Sequence, residues 1–353
     1  MKLLHIISSL EIGGAQRLLS DILPLMAKGN EVTLLVNQDI ENDFSKKIRE
    51  AGVKIVSMHC SNPYHLKNIF ILMQMIKGFD IVHVHLFPSL YWVALASLFT
   101  RVNLVYTEHS TSNRRRGKWY FRPIESFAYN RYKRVISISE QARDALVAWV
   151  GAPSTDHRFV VVNNGVNLVN FSGNPTKNSF SKTLIMVSRF VASKDQMTVL
   201  RAMRLLPDDV QLILVGDGEN LAACKTFAGK QGLSDRVQFV GNQSDVNAWI
   251  AKADVGIQSS KWEGFGLTAV ELMAAGKPVV ATDVDGLRQV VEGAGLLFPV
   301  GDEERLAAIV MRLLDDEAYY QQIAEKCLAR ARMYDIHVTV EKYLGIYNDI
   351  VSE

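Results

Sequence analysis

Cysteine is scarce in this chain. Its 353 residues contain three, Cys60, Cys224 and Cys327, and their spacing matches no zinc or redox motif. Long apolar runs are also missing, because Ile69–Met75 and Tyr91–Phe99 are shorter than the ~20 residues that a membrane-spanning helix needs. We therefore expect no cysteine-based metal site and no membrane span, and a reducing, cytoplasmic setting is the simplest interpretation.

The N-terminus lacks the features of a secretory signal. Met1–Ile7 has neither a long apolar stretch nor a small-residue cleavage site, and it is typical of a buried first strand. A hydrophobic content of 48% and a charged content of 22% are ordinary for a folded protein, and the length predicts about two domains.

The net charge of +2 conceals a difference between the two halves. Residues 1–165 carry 20 Lys and Arg against 13 Asp and Glu, whereas the remainder carries 19 against 24. A basic first half suits an anionic acceptor or an anionic membrane surface. Uneven surface charge without any partner explains the same numbers equally well.

Short β-rich apolar runs alternate with segments of helical length from end to end, which predicts an α/β fold of doubly wound parallel sheets. The polar stretch 172–181 is the best linker, so we predict one domain over 1–170 and another over 171–336. The predicted strands are Leu3–Ile7, Val32–Val36, Lys54–Ser57, Asp80–His85, Val102–Thr107, Arg134–Ile138, Phe159–Val162, Thr183–Val187, Gln211–Val215, Arg236–Val240, Asp254–Ile257, Val279–Ala281 and Leu296–Phe298.

Two carboxylates eight positions apart, Glu263 and Glu271, bracket the most informative stretch. Gly264 and Gly266 precede a predicted helix over Leu267–Ala275. Glycines allow close approach of a ligand to the backbone, and a helix N-terminus favours an anion. The pair is suited to hold two polar parts of one elongated, phosphate-bearing ligand.

This stretch resembles the E-x7-E signature of the retaining, nucleotide-sugar-dependent glycosyltransferases of family 4, which have the GT-B fold. The segments 137–140 (SISE) and 164–167 (NGVN) are similar to the family's S-x-S-E and N-G-V-D boxes. The resemblance implies two Rossmann-like domains facing each other across a cleft, with a terminal helix, 337–353, that packs back on the first domain. It also implies that Glu263 lies against the donor sugar and that Glu271 binds the ribose hydroxyls.

Arg189 and Lys194 follow the first predicted strand of the second half, where two cations can converge on one diphosphate. The pattern resembles the family's G-R-x4-K, with Ser188 in place of the usual glycine. The turn at Gly216 and the loop at Asn242 resemble regions near the nucleobase, and a strand-to-helix turn with a purely mechanical role explains Gly216 equally well. The predicted donor-binding residues are Gly13, Gly14, Arg189, Lys194, Gly216, Asn242, Glu263, Gly264, Phe265, Gly266, Leu267, Thr268 and Glu271.

No metal or other cofactor is expected beyond the nucleotide-sugar co-substrate. Asp283 and Asp285 imitate a D-x-D metal motif, but Arg189, Lys194 and a helix N-terminus already offer positive charge to a leaving diphosphate. Family members usually have Gly-Gly where this chain has Asp285-Gly286, so the resemblance does not extend to the contact of this loop with the sugar.

In the first half, Gly13 and Gly14 open a helix after the first strand but do not form G-x-G-x-x-G, which disfavours a nicotinamide or flavin site. The resemblance makes this loop a platform for the donor, and tight packing is the alternative. His109 is the predicted polar contact near the transferred sugar, so the predicted catalytic residues are His109, Arg189, Lys194 and Glu263. His83 and His85 are expected to be satisfied strand-end histidines, because no third zinc ligand at a recognisable spacing accompanies them.

The basic run 114–118 ends in aromatic residues. A single short run and a pI near 8.3 disfavour nucleic-acid binding. A mobile acceptor loop or a peripheral contact with anionic lipid explains the run better, and a solvated loop without a partner is the alternative.

We therefore predict a retaining, metal-independent glycosyltransferase that moves a sugar from UDP or GDP to a carbohydrate or lipid-linked acceptor. The expected setting is bacterial surface polysaccharide, lipopolysaccharide or capsule synthesis, in the cytoplasm or on the cytoplasmic face of the membrane. The alternatives are a nucleotide-sugar epimerase on a GT-B-like scaffold and a non-catalytic sugar-nucleotide-binding protein.

Overall fold

The structure is a computed structural model that describes residues 1–11, 13–109, 115–171, 182–243 and 245–353. The chain forms two compact units, one of Met1–Gly165 with Ile336–Glu353 and the other of Val166–Asp335. The predicted boundary after residue 170 lies a few residues further along the chain. The predicted linker, 172–181, falls outside the described residues.

The first unit contains a parallel sheet of seven strands in the order β3-β2-β1-β4-β5-β6-β7. Neighbouring strands keep a regular register, with Leu3 beside Val32 on one side and beside Ile81 on the other. The strands are β1 (Lys2–Ile7), β2 (Glu31–Val36), β3 (Lys54–Ser57), β4 (Ile81–His85), β5 (Asn103–Glu108), β6 (Arg134–Ser137) and β7 (Phe159–Val161).

Helices cover both faces of this sheet. The helices are α1 (Gly14–Met26), α2 (Asp43–Glu50), α3 (Lys67–Met75), α4 (Ser89–Ala96), α5 (Phe121–Asn130), α6 (Glu140–Val150) and the last helix of the chain, α14 (Ile336–Ser352). Leu3 and Ile7 point into a core shared with α1, α2 and α14, whereas Leu4 and Ile6 point into a core shared with α3 to α6. Alternation along a strand thus divides one apolar segment between two cores.

The helix α14 belongs to the first unit although it follows the second in sequence. Tyr343 and Tyr347 on this helix are fully buried against α1 and the sheet. Gly165 permits the approach, because a Cβ atom there would lie 2.7 Å from the Cα atom of Ile336. The Thr339 hydroxyl also donates to the carbonyl of Asn163 at 3.1 Å.

The second unit contains a parallel sheet of six strands in the order β10-β9-β8-β11-β12-β13. Its strands are β8 (Thr183–Val187), β9 (Gln211–Val215), β10 (Val237–Gly241), β11 (Val255–Gln258), β12 (Val279–Thr282) and β13 (Leu296–Phe298). Its helices are α7 (Gln196–Met203), α8 (Leu221–Lys230), α9 (Val246–Lys252), α10 (Leu267–Ala274), α11 (Asp285–Val291), α12 (Glu303–Asp315) and α13 (Glu317–Arg332).

Aspartates start four of these helices. Asp195, Asp245, Asp302 and Asp316 each accept the backbone N–H three residues later, which satisfies one of the donors that a helix N-terminus leaves unpaired. The predicted fold class, two parallel-sheet α/β domains, is confirmed, and the thirteen predicted strands are all present with small changes at their ends.

Candidate functional site

The strand order of the second sheet reverses between β8 and β11, and predicted donor-site residues lie at this position. In open α/β sheets, ligands bind beyond the carboxyl ends of the strands at such a switch point. The loop after β8 carries Lys194 and the loop after β11 carries Ser260, and the two residues form an isolated antiparallel bridge. The topology therefore joins two loops that are far apart in sequence.

Lys194 forms an ion pair with Glu263, and its ammonium also lies 3.2 Å from the Ser260 hydroxyl. The two charged side chains are largely buried, with exposed fractions of 18% and 21%. The second Glu263 oxygen accepts the backbone N–H of Gly264 at 3.1 Å, so hydrogen bonds hold the carboxylate from both sides.

Arg189 lies in the same β8 loop and is exposed. Its side chain forms no hydrogen bond or ion pair with any residue in the described part of the chain. The backbone of the loop is nevertheless fixed, because Gln196 donates both to the Arg189 carbonyl at 3.0 Å and to the Ser188 hydroxyl at 2.9 Å. A guanidinium on an ordered loop is well suited to bind an incoming anion.

Gly216 allows the loops after β8 and β9 to touch. Its φ of +130° is a conformation that other residues rarely adopt, and a Cβ atom there would lie 2.1 Å from the Ser188 carbonyl oxygen. The Gly216 N–H in turn donates to the Gly241 carbonyl at 2.8 Å, next to the exposed Asn242. Predicted donor-site residues from three adjacent strands thus share one edge of the sheet.

The start of α10 differs from the aspartate-capped helices. Gly266 is the N-cap in a left-handed conformation, with φ +90°, and no described side chain caps the helix. The first turn, with Leu267 and Thr268, therefore presents backbone N–H groups and the positive end of the helix dipole. Glu271 follows in the helix and is buried, with 2% exposed. Phe265 is also buried and packs edge-on against Tyr334.

Glycine at position 286 is required by the backbone of the Glu263 loop. A Cβ atom on Gly286 would lie 2.3 Å from the Glu263 carbonyl oxygen. The neighbouring aspartates of the D-x-D sequence, Asp283 and Asp285, both form ion pairs with Arg288 and are exposed.

In the first unit, Gly13 is the N-cap of α1 and Gly14 is its first residue, with no side-chain cap among the described residues. Gly13 has extended backbone, and a Cβ atom there would meet only the end of the Gln16 side chain. Tight packing against a neighbouring element therefore does not explain glycine at position 13.

Four histidines form a cluster: His5 lies on β1, His83 and His85 lie on β4, and His109 directly follows β5. His5 Nδ1 lies 3.1 Å from His85 Nε2, and His85 Nδ1 lies 3.2 Å from His109 Nε2. His83 contacts the Tyr347 hydroxyl, and its Nε2 lies 2.7 Å from the Thr107 hydroxyl. His5, His83 and His85 are fully buried. They lie on β1 and β4, the two strands between which the strand order of this sheet reverses.

Burial keeps these imidazoles neutral. Desolvation lowers the pKa of His5 to about 3 and that of His109 to about 4. Desolvation, with a smaller contribution from the neighbouring histidines, holds the pKa of His83 and of His85 well below 6.5. At neutral pH, the tautomers of these rings therefore decide which nitrogens donate hydrogen bonds.

His5 is the third histidine that the His-x-His spacing did not reveal. One nitrogen from each of His5, His83 and His85 lies within 4.8 Å of the others, a grouping that is compatible with a metal ion. The rings of His83 and His85, however, are stacked with their centroids 4.2 Å apart and an interplanar angle of 29°. Lone pairs in nearly parallel planes do not converge on one ion, so the contacts are those of a hydrogen-bonded cluster.

Comparison with known proteins places the chain in a family. A family profile described as "Glycosyl transferases group 1" matches residues 170–330, and one described as "Glycosyltransferase Family 4" matches residues 12–170. Together the two profiles span residues 12–330, and the chain belongs to the glycosyltransferase family that they describe. The predicted family membership is confirmed.

Two curated relatives of this glycosyltransferase are named for sugar transfer. A phosphatidyl-myo-inositol mannosyltransferase of Mycobacterium leprae is 27% identical over 290 residues, 78% of this chain and 74% of the relative. The lipopolysaccharide core biosynthesis mannosyltransferase LpsB of Rhizobium meliloti is 31% identical over 132 residues, 36% of this chain and 38% of the relative. The chain therefore matches less than half the length of the second relative.

The fold is shared with solved structures. The crystal structure of HepE from Anabaena in complex with UDP is similar with a TM-score of 0.86, at 23% identity, covering 99% of this chain and 100% of HepE. At this identity, the similarity establishes the GT-B fold.

The basic run 114–118 was predicted to be an acceptor loop or a lipid contact, and the structure gives two of its arginines a different role. Arg115 forms an ion pair with Glu125, and Arg116 forms one with Glu108, and all four side chains are largely buried. These two arginines are therefore not available to lipid headgroups, because they neutralise buried carboxylates. Lys118 remains exposed, and Arg114 lies outside the described residues. No helix in the described part of the chain has both the length and the apolar character needed to cross a bilayer.

Proposed function

We propose that this glycosyltransferase transfers a sugar from a UDP- or GDP-linked donor to a carbohydrate or lipid-linked acceptor, with retention of the anomeric configuration. One observation supports the proposal above the others: Arg189, the Lys194–Glu263 pair and the uncapped start of α10 lie at the switch point of one sheet. Two cations and free backbone N–H groups are suited to a diphosphate, and a carboxylate is suited to sugar hydroxyls.

The chemistry of sugar transfer requires this distribution of charge. Cleavage of a sugar–phosphate bond leaves negative charge on the departing diphosphate, and Arg189 and Lys194 stabilise that charge where it develops. In the proposed retaining reaction, the acceptor attacks on the face from which the diphosphate leaves, and a leaving phosphate oxygen takes the acceptor proton. The reaction proposed here proceeds without a metal ion.

Binding of the isolated nucleotide tests the first half of the proposal. UDP is the first probe because HepE was crystallised with it, and GDP is the second. A ligand that binds only the folded state raises the unfolding temperature. We expect Arg189→Gln to weaken nucleotide affinity at least about tenfold, because a charge-assisted hydrogen bond contributes ~1.5–3 kcal/mol.

Arg204→Gln is the matched control, because Arg204 is an exposed arginine at the opposite end of α7 from the site. Calorimetric titration should give the wild-type affinity for this variant. Absence of binding of both nucleotides at saturating concentration, in protein shown to be folded, would contradict the proposal.

Turnover tests separate transfer from the alternatives. Incubation with nucleotide sugar alone should leave the donor sugar unchanged, whereas an epimerase releases an altered sugar and a binding protein gives no product with any acceptor. Nuclear magnetic resonance of the product reports the anomeric configuration, and full activity in the presence of EDTA is expected. The relatives named for phosphatidylinositol mannosylation and lipopolysaccharide synthesis suggest lipid-linked acceptors as the first to test.

We further propose that the first unit contacts an anionic bilayer through one exposed surface. This aromatic face consists of Leu98, Phe99, Trp119, Tyr120, Ile124 and Phe127, of which Trp119 is 81% exposed. Its two parts lie close together, because Arg131, directly after α5, donates to the hydroxyl of Ser97, the residue before Leu98. Arg101, Lys118 and Arg122 are exposed around it and supply positive charge.

Vesicle sedimentation tests this surface. Binding should require phosphatidylglycerol in phosphatidylcholine vesicles and should fall several-fold in Trp119→Ala. Met333→Ala removes an equally apolar, 68% exposed side chain from the second unit and should leave binding unchanged. Equal binding to neutral vesicles, or equal loss in both variants, would count against this surface.

A further inference from the structure

His5, His85 and His109 form a continuous hydrogen-bonded chain, here called the histidine chain. It runs from His5 Nδ1 to His85 Nε2 over 3.1 Å, and from His85 Nδ1 to His109 Nε2 over 3.2 Å. Both nitrogens of His85 are therefore engaged, one with each neighbour. His83 lies beside the chain but is paired with Tyr347 and Thr107 instead.

A neutral imidazole carries one hydrogen, so the tautomers along the chain are not independent. If His85 has its hydrogen on Nδ1, it donates to His109 and must accept from His5 Nδ1–H. If His85 has its hydrogen on Nε2, it donates to His5 and must accept from His109 Nε2–H. The two arrangements leave His109 with its hydrogen on opposite nitrogens.

The buried end of the chain distinguishes the two arrangements. His5 Nε2 is fully buried and has no hydrogen-bond partner in the part of the chain that the structure describes. In the first arrangement this nitrogen is an unpaired acceptor, and in the second it is an unpaired N–H donor. Buried N–H groups without a partner are rarer than buried acceptors without one, so the first arrangement is favoured.

We propose that His5 and His85 are positioning residues that fix His109 in the tautomer with hydrogen on Nδ1. His109 Nε2 then accepts from His85, and His109 Nδ1–H is a hydrogen-bond donor. The Nδ1 atom of His109 has no hydrogen-bond partner among the described residues, and the His109 side chain is less buried than those of His5 and His85. The ligand group that this donor recognises is an oxygen acceptor, such as a sugar hydroxyl, an assignment that rests on the proposed function.

The tautomer can be measured without turnover. Correlation spectra of the full chain labelled with ¹⁵N-histidine distinguish ring nitrogens with and without hydrogen, and His109→Gln assigns the signal. The wild type should carry the His109 hydrogen on Nδ1. His5→Met replaces the Nδ1–H donor by a thioether sulfur that can only accept, so His85 should carry its hydrogen on Nε2, and the ratio of His109 tautomers should change by about fivefold or more towards Nε2–H, the effect of one hydrogen bond.

Two further variants control for folding and packing. His5→Asn keeps an amide donor near the position of Nδ1 and should restore the wild-type tautomer. His83→Gln alters a neighbouring buried histidine outside the chain and should leave the His109 tautomer unchanged. A wild-type His109 with hydrogen on Nε2, or an Nδ1–H form that persists undiminished in folded His5→Met, would overturn the proposal.

Kinetics then separate this inference from the proposed function. If His109 donates to the sugar, kcat should fall in His5→Met and remain near the wild-type value in His5→Asn, in step with the tautomer. A tautomer that changes as expected while transfer continues at the wild-type rate would support the fixed tautomer and would count against a role of His109 in transfer.

Discussion

Lys194 and Glu263 form an ion pair where the strand order of the second sheet reverses, although 69 residues separate them in sequence. Each is a candidate ligand-binding group, and in this structure each neutralises the other. A bound diphosphate must therefore compete with Glu263 for the ammonium of Lys194. The Lys194–Glu263 ion pair therefore determines the local charge that an incoming ligand meets at this position.

The competition gives Glu263→Gln two opposite effects. Loss of the carboxylate frees Lys194 and removes a negative charge near the phosphates, so affinity for UDP or GDP should rise about threefold to tenfold. Sugar transfer should fall by at least tenfold, because the amide lacks the charge of the carboxylate. Lys194→Met should weaken nucleotide binding instead. Calorimetry and transfer rates measured on the same preparations check both, and a weaker nucleotide affinity in Glu263→Gln would refute the competition.

Gly286→Ala should damage the site through the backbone. Its new Cβ atom would lie 2.3 Å from the Glu263 carbonyl oxygen, so the loop must move, at a cost of ~1–3 kcal/mol in stability and a clear loss of transfer. Gly345→Ala is the control, because Gly345 lies within α14 and a Cβ atom there meets nothing within 4 Å. That variant should gain ~0.5–1 kcal/mol in denaturant unfolding. Equal effects of the two substitutions would disprove the steric argument.

The buried histidines should make the fold sensitive to mild acid. His5, His83 and His85 remain neutral in the fold, whereas in the unfolded chain they take up protons near pH 6.5. Because the unfolded state then binds more protons, this contribution to stability is complete above about pH 6.5 and is lost as the pH falls below it.

Each of these histidines should reduce the free energy of unfolding by up to ~1.4 kcal/mol per pH unit below 6.5. Denaturant titrations between about pH 7.5 and 5.5 measure the slope. His5→Leu should reduce this slope by the contribution of one histidine, up to ~1.4 kcal/mol per pH unit. A stability that does not vary over this range would show that these groups take up protons in the fold.

Arg115→Gln should destabilise the first unit strongly. The Glu125 carboxylate is fully buried and is held by Arg115 and by hydrogen bonds from Tyr91 and Trp149. Removal of the cation leaves a buried charge without its counter-ion, at a cost of ~3–5 kcal/mol. Lys118→Gln, at an exposed position of the same run, should change the free energy of unfolding by less than ~0.5 kcal/mol. Similar losses of stability in the two variants would mean that the buried Arg115–Glu125 pair contributes little to the free energy of unfolding.

The sequence predicted most of the fold because the strands are continuous apolar runs, a local signal. The resemblance to family 4 implied that Arg189, Lys194 and Glu263 belong to one donor site, and loops at the carboxyl ends of parallel strands can meet in this way because they share an edge of the sheet. The ion pair between Lys194 and Glu263 was not predicted, because it depends on the placement of β11 beside β8.

Long-range pairing also explains the other differences. Arg115 and Arg116 follow one another in an apparently solvated run, but Glu108 and Glu125, their partners, are unremarkable in sequence. His5 lies beside His83 because β1 pairs with β4, and the two residues are far apart in sequence. Such contacts follow from the register between strands, which apolar patterning within a single segment does not specify.

The return of α14 to the first unit determines the order in which the protein can be completed on the ribosome. The second unit is continuous, and all of its residues are synthesised before Tyr343 and Tyr347. Until those two side chains arrive, the nascent first unit has an apolar surface uncovered beside α1. The unit that begins first therefore matures last, and chaperone engagement during synthesis should concentrate on it.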